Sequence, residues 1–193
     1  AKKLIKESLD IIIKDNPEIQ IDNNLVEEAI IKYKIDNNEF NILLAIGGSG
    51  PTKRIPAKIF IKFMKLISQN YECKFFLATG KNEDEQEILS EILKNNIKEK
   101  CIPLDQLNLK EIMPIISNCK VSVCNDSSFS HLSAALGIET IVLMSDTPLL
   151  YGNYSPRMHP IIPDGEKIVT HNTLGKNRIN PNKIFEKLKD ILN

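Results

Sequence analysis

The chain has 193 residues, 42% hydrophobic and 26% charged, with 25 basic residues balancing 25 acidic ones. That size fits one large domain, or a small domain with an attached arm, and the composition is that of a globular protein. The even charge balance gives no electrostatic reason to expect nucleic acid, and no apolar run approaches the roughly 18 residues of a membrane span.

Residues 1–40 read as a helical linker or arm. "KKLIKESLDIIIK" places Leu4, Ile5, Leu9, Ile12 and Ile13 on one apolar stripe at helical spacing. Acidic residues are mixed among its lysines, so packing on protein is expected rather than an interfacial membrane helix. After Pro17 a second helical pattern, "NNLVEEAIIKYKI", has Asn23 or Asn24 as its cap. From residue 41 the rhythm changes. "NILLAI" (41–46), "CKFFLAT" (73–79), "KCIP" (100–103), "KVSVC" (120–124) and "ETIVLM" (139–144) read as strands. Helical patterns fall between them at about 56–70, 83–95, 109–118 and 127–137, and a last one at about 181–192 follows Pro181. Near-continuous apolar strands alternating with helices predict a parallel sheet covered on both faces, a Rossmann-like three-layer α/β domain over 41–193.

Cys73, Cys101, Cys119 and Cys124 lack the CxxC spacing of a zinc ribbon or redox motif, and three of them sit in or beside apolar runs. Buried free thiols are expected. His131, His159 and His171 are too scattered to define a metal site, so none is expected. No signal-peptide pattern opens the chain, and the compartment reads as cytoplasmic. Its first residue, alanine, points to a processed chain or one excised from a longer protein.

In open parallel sheets ligands bind beyond the carboxyl ends of the strands, so the loops that leave those ends are where chemistry is sought. One is "IGGSGPTKRIP" (46–56), in which Gly47, Gly48 and Gly50 allow a backbone path closed to other residues and Pro56 suits the start of the next helix. Lys53 and Arg54 stand close to its backbone amides, a good setting for a phosphate. The loop is not a Walker A motif, lacking a terminal Gly-Lys-Ser/Thr, nor the dinucleotide fingerprint, lacking the third glycine. The other is "NDSSFSHLSAALG" (125–137), where Asp126 or Ser127 is placed to cap a helix and His131 shares a face with Ser127 one turn on. Ala134, Ala135 and Gly137 are small, as a helix lying tightly on a sheet requires. Read singly, these are a glycine-rich turn with two solvated charges, a helix cap and a hydrogen-bonded histidine. Read together, two phosphate-compatible loops on one sheet, one of them opening a helix with its partial positive charge, point to a shared diphosphate.

At these residues the chain resembles glycosyltransferase family 9, the ADP-heptose:lipopolysaccharide heptosyltransferases. "GGSGPTKRIP" is similar to the family's glycine-rich loop ending in Lys-x-Trp-Pro, and "FFLATGKNEDE" to its strand followed by a glycine and an acidic pair. "LDQLNLKEIMPIISNCKVSVCNDSSFSHLSAALGIETIVLM" resembles the stretch running through Asn-Asp-Ser-Gly-Pro-Met-His-Leu-Ala, and "YGNYSP" resembles a Gly-Pro-Tyr segment near the end. The likeness covers about residues 41 to 156, with the terminal helix as expected.

The resemblance implies the C-terminal, donor-binding half of a two-domain GT-B enzyme, with residues 1–40 matching the linker and the half that supplies the catalytic aspartate lying outside this chain. Such a half would be inactive alone. The implied activity is inverting transfer of a sugar, from ADP-heptose as donor, to a lipid A-core acceptor reached through the other half. The resemblance further implies no metal, no cofactor beyond the donor, and a place in the cytoplasm with peripheral association at the inner face of the inner membrane. Carried over by position, Lys53, with the loop residues Gly48, Ser49, Gly50 and Thr52, would neutralise the donor diphosphate. Asp126 would hold sugar hydroxyls, and Ser127, Ser128 and His131 would line the phosphate and sugar. Glu83 would contact the ribose and Leu107 would flank the adenine. The sequence departs from the family at Ser128, where the family has glycine, at Phe129 and Ser130 in place of Pro-Met, and at Ile55 in place of tryptophan. A UDP-sugar GT-B enzyme, a related sugar-nucleotide epimerase and a catalytically retired nucleotide-binding module are the alternatives.

Overall fold

The computed structural model describes residues 2–12, 16–48 and 50–193. Six parallel strands build one sheet: β1 (Phe40–Ala45), β2 (Cys73–Ala78), β3 (Cys101–Pro103), β4 (Val121–Asn125), β5 (Glu139–Leu143) and β6 (Met158–Ile161). Their order across the sheet is β3-β2-β1-β4-β5-β6. The winding reverses between β1 and β4, so the loops leaving those two strands diverge to opposite faces and open a crevice at their carboxyl ends.

Seven α-helices accompany the sheet among the described residues: α1 (Lys2–Leu9), α2 (Asn23–Tyr33), α3 (Ala57–Ser68), α4 (Glu83–Leu93), α5 (Leu109–Ile116), α6 (Ser128–Ala135) and α7 (Pro181–Leu192). Strand alternation divides the core in two. Ile42, Leu44, Phe75, Leu77, Val121, Val123, Ile141 and Leu143 point to one face and meet Phe60, Phe63, Met64 and Ile67 of α3, Leu89 and Ile92 of α4, and Ile184 and Leu188 of α7. Leu43, Ala45, Phe76, Ala78 and Cys124 point to the other and meet Ala29 of α2, Ile112, Ile115 and Ile116 of α5, Phe129 of α6 and Leu136 at its C-cap. Central strands buried on both faces show as unbroken apolar runs, as the sequence predicts. The expected three-layer α/β/α architecture is therefore present.

Some local expectations change. The first helix stops at Leu9, where Asp10 takes a left-handed conformation, and Leu4, Leu9 and Ile12 stay exposed rather than packed on protein. Ile13 lies outside the described residues. The cap of α2 is Asp22, whose carboxylate accepts from the Asn24 N–H, so neither Asn23 nor Asn24 plays that part. The strand β6 was not expected: "MHPI" is four residues with a proline, tolerable because β6 pairs on one side only, at the sheet edge. All four thiols are free, and burial pushes those of Cys101 and Cys124 up to about 12.

Candidate donor site

The two loops predicted to carry chemistry leave β1 and β4, the strands flanking the crevice. Across it, Lys53 Nζ stands 2.9 Å from Asp126 Oδ2. The lysine side chain is a quarter exposed, while Asp126 is almost wholly buried. The same carboxylate oxygen accepts from Thr147 Oγ1 at 2.5 Å, so a third loop, leaving β5, joins the site. Ser145 on that loop donates to the Thr52 carbonyl at 3.0 Å, and Lys176 Nζ donates to the Pro51 carbonyl at 2.7 Å, which fixes the far side of the first loop.

Asn125, fully buried at the end of β4, ties the two central loops together. Its Nδ2 donates to the carbonyls of Ile46 (2.8 Å) and Gly47 (3.2 Å), while its Oδ1 has no hydrogen-bond partner among the described residues. The Oγ of Ser127 is buried and likewise unpaired. Buried polar atoms are normally satisfied, and two orphans two residues apart in the chain at a crevice mark a place suited to a polar ligand.

Neither Asp126 nor Ser127 caps α6 through its side chain. Ser127 occupies the N-cap position without a side-chain cap bond, and the Asp126 carboxylate is held by Lys53 and Thr147. The first-turn amides are thus not consumed by a side chain, which suits them to an anion. Ser128 is exposed, and Ser130 Oγ turns back to the Ser127 carbonyl at 2.7 Å. His131 lies beside the ring of Tyr154.

The glycine loop departs from its expected basis. Neither Gly47 nor Gly48 has a left-handed backbone, and a Cβ on Gly48 or Gly50 would meet at most ordinary contacts. Gly47 is different: a Cβ there would come within 2.8 Å of the Glu85 carboxylate. Ser49 lies outside the described residues. Arg54 does not join Lys53 at Asp126. Its Nε donates to the Gly48 carbonyl at 2.9 Å, its guanidinium pairs with Asp84, and Glu85 lies 3.9 Å away.

The acid that turns inward from α4 is Glu85. It is 5% exposed, and its carboxylate accepts from Gly48 N–H (2.9 Å), Gly80 N–H (2.5 Å) and Thr79 Oγ1 (3.4 Å). Glu83, the residue the sequence pointed to, is exposed in the first turn of the same helix. Helical spacing contained the signal: Glu85 lies four residues before buried Leu89 and seven before buried Ile92, on the inward stripe. Leu107 lies in the loop after β3, part-buried against the second core cluster, two strands from β1 in the sheet order. His159 pairs with Glu139, and His171 lies beside the ring of Tyr151.

The fold and the crevice define the class: a Rossmann-like α/β domain of the kind found in GT-B glycosyltransferases. The chain belongs to glycosyltransferase family 9 (heptosyltransferase), whose sequence model matches residues 2–182. It is 33% identical over 122 residues to lipooligosaccharide heptosyltransferase 2 of Haemophilus influenzae, covering 62% of this chain and 33% of that protein. It is 28% identical over 159 residues to lipopolysaccharide heptosyltransferase 1 of Campylobacter coli, covering 81% and 46%. Among solved structures, E. coli ADP-heptose lps heptosyltransferase II superposes with a TM-score of 0.67 at 23% identity, covering 91% of this chain and 53% of that one. E. coli heptosyltransferase WaaC with ADP gives 0.70 at 16%, covering 98% and 54%. The chain thus spans less than half the length of these curated relatives and about half of the solved chains.

Proposed function

We propose that this chain is the donor-binding half of an inverting heptosyltransferase, taking ADP-heptose and serving transfer to a lipopolysaccharide or lipooligosaccharide core. The observation that carries the reading is the Lys53–Asp126 pair, a cation and a carboxylate set 2.9 Å apart at the switch point by loops from two adjacent strands. Lys53 and the amides opening α6 would face the diphosphate, and Asp126 the hydroxyls of the transferred sugar. Family membership supports the reaction class, and the names of the relatives support the sugar and acceptor.

In the proposed reaction an acceptor hydroxyl oxygen forms a bond to the anomeric carbon, and its proton passes to a base in the other half of the enzyme. The bond from that carbon to the phosphate oxygen breaks, and its electron pair leaves with ADP. This half stabilises the departing charge through Lys53 and oriented amides. Having no catalytic base of its own in this reading, it does not catalyse transfer alone. The whole enzyme works in the cytoplasm at the inner face of the inner membrane. The acceptor lipid is met at the membrane surface through the other half; no helix among the described residues is long and apolar enough to cross a membrane.

Calorimetric titration with ADP, UDP and GDP tests this, with Lys53→Ala as the comparison. A charge-assisted hydrogen bond contributes about 1.5–3 kcal/mol, so the variant should bind ADP roughly 10- to 100-fold more weakly. Unchanged ADP affinity in Lys53→Ala removes the diphosphate role. A preference for UDP replaces ADP-heptose with a UDP-sugar as donor.

A further inference from the structure

His131 and Tyr154 come from different parts of the crevice rim. His131 lies in the first turn of α6, and Tyr154 in the connection between β5 and β6. The imidazole Nδ1 is 2.8 Å from the Tyr154 hydroxyl, and the two rings lie 19° from parallel with centroids 5.6 Å apart. This one hydrogen bond, made between rings close to parallel, fixes the rotation of the imidazole. The connection that presents Tyr154 is itself tied down, by Tyr151 N–H to the Pro148 carbonyl, Gly152 N–H to that of Leu149 and Met158 N–H to that of Ser155.

The chemistry of the pair then decides where the proton sits. A neutral imidazole has one N–H and one lone pair, and the partner of one nitrogen selects the state of the other. A phenol donates more strongly than an imidazole N–H, and an imidazole nitrogen accepts more strongly than a phenol oxygen. Partial burial holds the Tyr154 hydroxyl above its ordinary ionisation range, so it remains a proton donor across neutral pH. Nδ1 is therefore the acceptor, and the ring's own proton sits on Nε2, which has no hydrogen-bond partner among the described residues.

We propose that Tyr154 is a positioning residue of the donor site: its hydroxyl and ring hold His131 as the Nε2–H tautomer, so that an oriented N–H is offered to the diphosphate or the adjoining sugar oxygen. This rests on the donor-site reading above and assigns a role to the β5–β6 connection within it. The hydroxyl-bearing ring acts through His131 and makes no claim on the ligand itself.

The test uses Tyr154→Phe, which keeps the ring and removes only the hydroxyl. Long-range proton–nitrogen NMR of the 15N-histidine-labelled chain, recorded about two units above the ordinary imidazole pKa at roughly pH 8.5, reads the tautomer. His131→Asn assigns the signals against those of His159 and His171. In the wild type, His131 should show an acceptor-type Nδ1 and a protonated Nε2, and Tyr154→Phe should shift toward a mixture. ADP affinity should fall roughly three- to tenfold in Tyr154→Phe, and adding Tyr154→Phe to His131→Asn should cost nothing further. The same tautomer ratio in wild type and Tyr154→Phe overturns the inference, as does full ADP affinity in Tyr154→Phe while Lys53→Ala is impaired. If Lys53→Ala binds ADP as well as the wild type, or the wild type binds none, the ligand half of the inference falls with the donor reading. The tautomer signature then decides the positioning half alone.

Discussion

Glu85 links the loops after β1 and β2, and removing it tests whether those loops depend on a buried carboxylate. In Glu85→Ala the N–H groups of Gly48 and Gly80 lose their acceptor, and Thr79 Oγ1 loses its partner. A buried donor left unsatisfied costs about 1–3 kcal/mol. Gly48 is buried and takes that cost in full; Gly80 is partly exposed and water relieves some of it. Arg54 keeps Asp84 and the Gly48 carbonyl and adds little. The sum is about 2–4 kcal/mol, which for a domain of this size lowers Tm by roughly 5–15 °C. Glu83→Ala is the comparison. Its side chain is exposed in the first turn of α4, where it interacts only with the helix dipole, worth about 0.3–1 kcal/mol. Reversible thermal unfolding followed by circular dichroism separates the two variants. A Glu85→Ala protein that melts with the wild type, or no lower than Glu83→Ala, refutes the assignment of Glu85 as the inward acid.

Asp126→Ala removes the acceptor shared by Lys53 and Thr147. On the proposed function it should weaken ADP-sugar binding more than ADP binding, by calorimetry with both ligands; equal losses would reduce Asp126 to a structural anchor. The Cys124 thiol is raised by burial from an ordinary 9.0 to about 12. The folded chain therefore holds that proton more tightly than the unfolded chain. Stability from this group is complete below about pH 9 and is lost as pH rises from there through about 12. Urea titrations across that window should show a falling midpoint, with Cys124→Ala flatter than the wild type, and an identical slope in the two would contradict the assignment.

Much of the fold was legible because central parallel strands are buried on both faces and so appear as apolar runs. β1, β2 and β4 fall where "NILLAI", "CKFFLAT" and "KVSVC" place them, to within one or two residues. β6 escaped because an edge strand of four residues carries too little pattern to separate it from a loop. In the site, Lys53 and Asp126 were legible from their loops, and the structure brings them together. Thr147 was not, because its contribution depends on the sheet order placing β5 beside β4, which no local motif states. Glu83 and Glu85 share one acidic run, and only the register of α4 against Leu89 and Ile92 tells which turns inward.

The Lys53–Asp126 pair also bears on how a donor would bind. A lysine fixed by a buried carboxylate is already oriented, so less rotamer freedom is lost when an anion arrives than with a free surface lysine. Yet the carboxylate is a rival for the same ammonium. A diphosphate that draws Lys53 toward itself weakens its hold on Asp126, whose Oδ2 keeps Thr147 and whose lone pairs become available to hydroxyl donors. Diphosphate and sugar would then bind with mutual support: the first half of the ligand takes the cation, and the second satisfies the carboxylate left behind. In Asp126→Ala the rival is gone and, on the proposed function, so is the acceptor for the sugar hydroxyls. Bare ADP should accordingly lose little affinity, while the advantage of ADP-sugar over ADP collapses.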